Sequence, residues 1–158
     1  MNTLQWLSRL IGFDTTSRNS NLDLINCVQD WMQQHGAICR LTHDAKEKKT
    51  NLFATLPSAA GSMHGGLILS GHTDVVPVDG QEWETNPFLA TERDGKIYGR
   101  GACDMKGFLA VALALVPDLA QRQLAKPVHF AFSYDEEVGC RGAPLLIADL
   151  QRAGIQPE

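Results

Sequence analysis

A chain of 158 residues, 44% hydrophobic and 20% charged, is long enough to bury one core and gives no reason to expect two domains. Its net charge of -4, with acids and bases interspersed, supplies neither the basic footprint that nucleic acid requires nor a polybasic membrane patch. No run approaches the roughly 18 apolar residues of a membrane span. Residues 1–9 lack an export signal and the four cysteines form no CxxC pair, so a cytoplasmic protein with reduced thiols is expected.

Leu4, Leu7, Leu10 and Ile11 predict a short first helix that Gly12 and the run Asp14-Thr15-Thr16-Ser17 should end. A second helix, capped by Ser20 or Asn21, carries Leu24, Ile25, Val28, Trp31 and Met32 on one face until Gly36 stops it. Residues 37–41 and 51–56 read as neighbouring strands around the charged turn 44–49, itself read as a solvated loop. After a loop rich in Gly, Ser and Ala, the apolar run 66–70 reads as a buried, central strand that delivers His72.

Residues 89–98 alternate around Asp94-Gly95, the signature of a tight hairpin. Helical spacing through Phe108, Val111, Ala112, Leu115 and Leu119 predicts a helix over 105–124, kinked or split at Pro117, with Asp104 at its amino end. A further apolar strand over 128–134 runs into Asp135-Glu136-Glu137, and helical spacing returns over 142–152. Alternating strands and helices favour a layered α/β architecture, in which sites form beyond the carboxyl ends of strands. Both His72 and Glu136-Glu137 fall at such ends.

Imidazole is the commonest nitrogen ligand for zinc, and Asp74, two residues on, suits the supporting role that fixes the ring's tautomer and orientation. Taken singly, each residue has a plainer reading: His72 as a hydrogen-bonded histidine, Asp104 as a helix cap, Asp135-Glu136-Glu137 as a solvated acidic turn. Brought into one crevice, His72, Asp104 and Glu137 make a nitrogen and oxygen donor set that suits zinc, cobalt or manganese better than calcium. Adjacent side chains leaving a strand diverge, so one glutamate should ligate while the other does chemistry. Glu137 is assigned to metal and Glu136 to general base, which gives hydrolysis without a protein nucleophile. Cys103 and Cys140 read as small buried thiols, Arg141 as a solvated cation, and Trp83 and Phe88 as side chains packing down their loop.

The wording of three segments, Ser70-Gly71-His72-Thr73-Asp74-Val75-Val76-Pro77, then Tyr98-Gly99-Arg100-Gly101-Ala102-Cys103-Asp104-Met105-Lys106-Gly107, then Asp135-Glu136-Glu137-Val138-Gly139, resembles the co-catalytic zinc peptidases and deacylases. That resemblance implies an α/β/α catalytic domain holding two divalent ions, zinc or cobalt. It implies that His72 and Glu137 are terminal ligands, Asp104 bridges, Glu136 is the base, Asp74 orients His72, and the Asp104-Met105 peptide is cis. It further implies a small N-acyl amino acid substrate and a homodimeric full-length protein. Within the family, residues 133–143 and 83–88 look most like the deacetylases of arginine biosynthesis, whereas the desuccinylases of lysine biosynthesis share the His72 and Asp104 wording.

Each ion remains short of one ligand, and the family's lid and dimerisation domain has no counterpart in these residues. Residues 1–158 are therefore expected to be the amino-terminal part of the catalytic domain, binding metal weakly and turning over little substrate. An exposed sheet edge and exposed apolar helix surface should follow. The contrasting reading is an inactive interaction or regulatory fragment.

Overall fold

The computed structural model describes residues 1–46 and 48–156. Glu47 of the charged turn, and Pro157 and Glu158, where the expectation about the chain's end falls, lie outside the described residues. The elements, in order, are α1 (Thr3–Ile11), α2 (Leu22–Gln34), β1 (Ile38–His43), β2 (Thr50–Leu56), β3 (Leu67–His72), β4 (Thr91–Arg93), β5 (Lys96–Tyr98), α3 (Lys106–Ala120), β6 (Val128–Ser133) and α4 (Gly142–Arg152).

Local chemistry accounts for most boundaries. Asn2 opens α1 through a capping box with Gln5, its side chain accepting from the Gln5 amide at 2.9 Å. At α2, of the two expected caps, Ser20 accepts from the Leu22 amide at 3.1 Å, while the Asn21 side chain turns inward to the Thr50 backbone and the Thr73 hydroxyl. Gly36, at φ 81°, carries the chain out of α2. The hairpin turn is as expected, with Asp94 at φ 53° and Gly95 at φ 70°, both in the left-handed region that such a turn demands. Pro117 does not split α3, which runs unbroken past it. Near a helix end the lost amide hydrogen bond is a local cost that packing of Leu109, Leu113 and Val116 outweighs.

Four strands form one mixed sheet in the order β1-β2-β6-β3, with β1, β2 and β6 successively antiparallel and β3 parallel to β6. Leu52, Ala54, Leu56, Phe130 and Phe132 face α1, α2 and α3; Phe53 and Ala131 face Leu146 and Leu150 of α4. The architecture is thus α/β/α, and each fully buried Leu, Ile or Phe contributes about 1.5–3 kcal/mol to it.

The run 66–70 is not central. Strand β3 stands at the edge of the described sheet, and β2, buried along its whole length, takes the centre with β6. Nor is the run buried along its length, Leu67 and Ser70 being exposed and Ile68 and Leu69 half-buried, since an apolar run does not announce whether both faces of a strand are covered or which strands flank it. The expected exposed edge and apolar surface are both present. Leu67 is 60% exposed, and Phe108, Val111 and Leu115 form an outward stripe on α3.

The sheet's polarity matters most for function. Because β3 and β6 are parallel, with His72 opposite Ser133, their carboxyl ends emerge side by side. Asn21, 2% exposed, ties α2 to this end through its bonds to Thr50 and Thr73. Asn21→Ala is expected to lower stability by about 2–4 kcal/mol in urea unfolding, three hydrogen bonds being lost in a buried place.

Candidate metal centre

Beyond the ends of β3 and β6, three segments meet. His72 closes β3 with its ring almost wholly buried. Its Nδ1 lies 2.9 Å from the Asp74 carbonyl oxygen and 3.5 Å from the Asp74 carboxylate; its Nε2 lies 3.1 Å from Oδ1 of Asp104. Asp104 is 76% exposed at its side chain and stands just before α3, where it caps no helix amide. The Asp104-Met105 peptide is cis, as the resemblance implied.

Glu136 and Glu137 arrive from β6. Ligand atoms of His72, Glu136 and Glu137 lie within 4.8 Å of one another, so both adjacent carboxylates reach one point. The expected divergence fails because the chain is not extended there: Asp135 takes φ 55°, and the Gly139 and Cys140 amides fold back on the Glu136 carbonyl at 3.1 and 3.0 Å. Divergence of neighbours is a property of a strand, and the strand has ended. Asp104 stands outside this tight trio and joins it through His72.

Asp74 holds the arrangement together. It is 2% exposed, and its carboxylate accepts from the Ser17 hydroxyl at 2.6 Å, the Glu136 amide at 3.0 Å and the Glu137 amide at 3.2 Å. Burial alone would raise its pKa, but the His72 ring, the Ser17 hydroxyl and the two amides outweigh it and hold the carboxyl below its usual range. The role foreseen for Asp74 is therefore divided: its carbonyl is the closer partner of the His72 ring, and its carboxylate anchors the glutamate segment.

Burial also opposes charge on His72, yet the hydrogen bonds to Asp74 and Asp104 prevail and lift its pKa to about 9. Both ring nitrogens face acceptors, the natural environment of an imidazolium. Glu137 shifts upward, first through burial and then through the carboxylates of Asp104, Glu136 and Asp74, with His72 opposing. A divalent cation would relieve this crowding of carboxylates. The donor set fits zinc-like ions: Nε2 would give up its proton while Nδ1 goes on donating to the Asp74 carbonyl.

Sequence reading missed Ser17, which looked like part of a helix-ending loop. Residues 15–17 instead run beside 73–75, with the Thr15 hydroxyl donating to the Thr73 carbonyl at 2.6 Å and the Val75 amide to the Thr15 carbonyl at 3.1 Å. No periodicity marks such a clamp; the only signal is a run of small hydroxyl side chains. Cys103 and Cys140 are exposed, contrary to expectation, because each sits in an irregular segment at the surface of the site rather than in the core. The Cys140 thiol lies 3.7 Å from Oε1 of Glu136. Trp83 packs in its loop under the Arg100 guanidinium, 5.2 Å from the ring centre, and Arg141 is exposed.

A sequence profile of peptidase family M20/M25/M40 matches residues 68–158, more than half of the chain and all three segments of the site. The chain belongs to peptidase family M20/M25/M40. Two relatives within M20 are the acetylornithine deacetylases of Proteus mirabilis (strain HI4320), 39% identical over 92% of this chain, and of Pasteurella multocida (strain Pm70), 38% identical over 98%. The chain spans only 36% and 41% of their lengths. An M20 metallo-carboxypeptidase from Sulfolobus solfataricus shares the fold with a TM-score of 0.81 at 24% identity, over 97% of this chain and 35% of that one. Human carnosine dipeptidase 1 gives 0.76 at 25% identity, over 94% and 35%. Among the described residues of this M20 chain, no helix is long and apolar enough to cross a membrane.

Three measurements test the centre. Because the imidazolium must lose its proton before Nε2 can ligate, Zn²⁺ affinity by calorimetry should rise with pH up to about 9. In the metal-free chain the raised pKa carries the opposite sign: His72 contributes stability that is complete below its ordinary value of 6.5 and is lost as pH climbs through about 9. Asp74→Asn should weaken Zn²⁺ binding about 10–100-fold, since it disturbs both the ring and the glutamate segment.

Proposed function

We propose that residues 1–158 form the amino-terminal part of the catalytic domain of a two-metal amidohydrolase that cleaves N-acetyl-L-ornithine to L-ornithine and acetate, a step of arginine biosynthesis. The observation that carries this reading is the meeting of His72, Asp104, Glu136 and Glu137 around the buried Asp74 carboxylate. The deacetylase relatives at 38–39% identity support the choice of substrate, in line with the wording of residues 133–143 and 83–88.

In this reading His72 and Glu137 would each hold one of two divalent ions, zinc or cobalt, and Asp104 would be shared between them. Bound divalent ions supply the Lewis acidity that makes water nucleophilic near neutral pH. Glu136 is the general base: it takes a proton from the attacking water and returns it to the departing amine as the amide C–N bond breaks. One water is consumed, and one carboxylic acid and one amine are released. Asp74 works at a remove, holding the Glu136 amide so that the carboxylate above it faces the site, 3.9 Å from Nε2 of His72. The exposed Asp104 leaves the site open toward solvent, as entry of a small N-acyl amino acid requires.

The test joins residues 1–158 to the remaining part of the Proteus mirabilis relative and assays release of amine from N-acetyl-L-ornithine and from N-succinyl-L,L-diaminopimelate. The acetylated substrate should be preferred, and E136Q should lower turnover about 10²–10⁴-fold while bound metal is retained. Preference for the succinylated amine would move the assignment to a desuccinylase. A chimera that binds metal but is indifferent to E136Q on either substrate would leave an interaction module as the better account.

A further inference from the structure

Lys49 and Asp135 have no ligand or base role in the reading so far, yet they form a largely buried ion pair whose acceptor directly precedes Glu136. Strand β2 is antiparallel to β6, so its first residues lie at the same end of the sheet as the carboxyl end of β6, and Lys49 stands immediately before it. The Lys49 backbone is fixed by Asp44, whose carboxylate accepts from the Lys48 and Lys49 amides at 2.7 and 2.9 Å. Its ammonium donates to two acceptors, the Asp135 carboxylate and the Ser17 carbonyl. The side chains of Lys49 and Asp135 are 15% and 10% exposed, whereas Lys46 and Lys48 of the same turn are exposed. The reading of 44–49 as a solvated loop therefore fails at its last residue.

Both acceptors lead directly to the centre. Ser17 donates its hydroxyl to the Asp74 carboxylate at 2.6 Å. Asp135 is the residue at φ 55° whose turn sends Glu136 and Glu137 back toward His72, and their amides complete the Asp74 shell. Aspartate tolerates that backbone region better than most residues, and the Arg141 amide donates to the Asp135 carbonyl at 3.0 Å, so the Lys49 pair adds a side-chain tether to a turn that the main chain also braces.

We propose that Lys49 is a positioning residue for the metal centre, pinning the Asp135 turn and the Ser17 loop together so that Glu136 and Glu137 face His72. The inference rests on the reading of this cluster as a metal site. Lys49 touches neither metal nor substrate in this role; it acts through Asp135 and Ser17. A lysine suits the task because one ammonium offers three donors and can serve two acceptors on different segments at once. Arginine can keep both contacts, and an apolar side chain can keep neither.

Removing Lys49 alone strands the Asp135 charge in a buried place and risks unfolding, so the informative variant is the double substitution Lys49→Met with Asp135→Asn, which leaves no uncompensated charge. Zn²⁺ affinity is measured by calorimetry, together with amide hydrogen exchange at Glu136, Glu137 and, as a reference for the core, Phe130. The double variant should bind Zn²⁺ about 10–100-fold more weakly and exchange faster at Glu136 and Glu137 with Phe130 unchanged, while Lys49→Arg restores both. Unchanged affinity and exchange, or an acceleration at Phe130 equal to that at the glutamates, would overturn the proposal. If residues 1–158 joined to the remaining part of the Proteus mirabilis relative also bind no Zn²⁺, the reading as a metal site fails, and the exchange rates alone then decide whether Lys49 positions the turn.

Discussion

The Asp74 carboxylate is the constraint on which the site depends. Burying an unpaired carboxylate is costly, so its two oxygens must find donors. Those on offer are the Ser17 hydroxyl and the amides of Glu136 and Glu137. Satisfying one anion thus ties the end of β3, the loop after α1 and the turn after β6 into one unit. The ligand-bearing residues are held by their main chains, which leaves their side chains free to meet a cation. Had Asp74 been apolar, the same fold could form, but the glutamate amides would have to find water or another acceptor.

Parallel pairing of β3 and β6 is what lets so short a linkage work. His72 and Ser133, 61 positions apart in sequence, are opposite one another in the sheet, and a carboxylate two residues past one strand reaches amides three and four residues past the other. The crossover between them contains α3, whose entry carries Asp104 to the remaining side of the His72 ring. Electrostatics then favours occupation by a cation. Glu137 is pushed up by burial and by its fellow carboxylates, and His72 stands in as the local positive charge.

The layered architecture was legible because it follows from local periodicity and from turn chemistry such as Asp94-Gly95. So was the placement of His72, Asp74, Asp104, Glu136 and Glu137 at element ends, where side chains are free for chemistry. Strand order was not legible: β3 has the apolar composition of a central strand and stands at an edge, since neighbours are chosen by the whole sheet. Convergence of the two glutamates was also hidden, because it depends on one positive φ at Asp135, a conformation that composition does not announce. Ser17, Asn21 and Lys49 were missed for a common reason. Each is a polar side chain in an irregular or capping position whose partners lie far away in sequence, and hydrophobic patterning carries no information about such pairs.

The edge position of β3 has a consequence for the chemistry of ligation. His72 brings the one imidazole of the cluster, and it is the last residue of a strand paired on one side only within the described sheet. An excursion of β3 would carry off the nitrogen donor together with the Asp74 carboxylate that holds the Glu136 and Glu137 amides, so the donors of both strands stay or leave as one. Sheet pairing and the integrity of the donor cluster are in this way linked, and whatever braces the free side of β3 also steadies the donors on both strands.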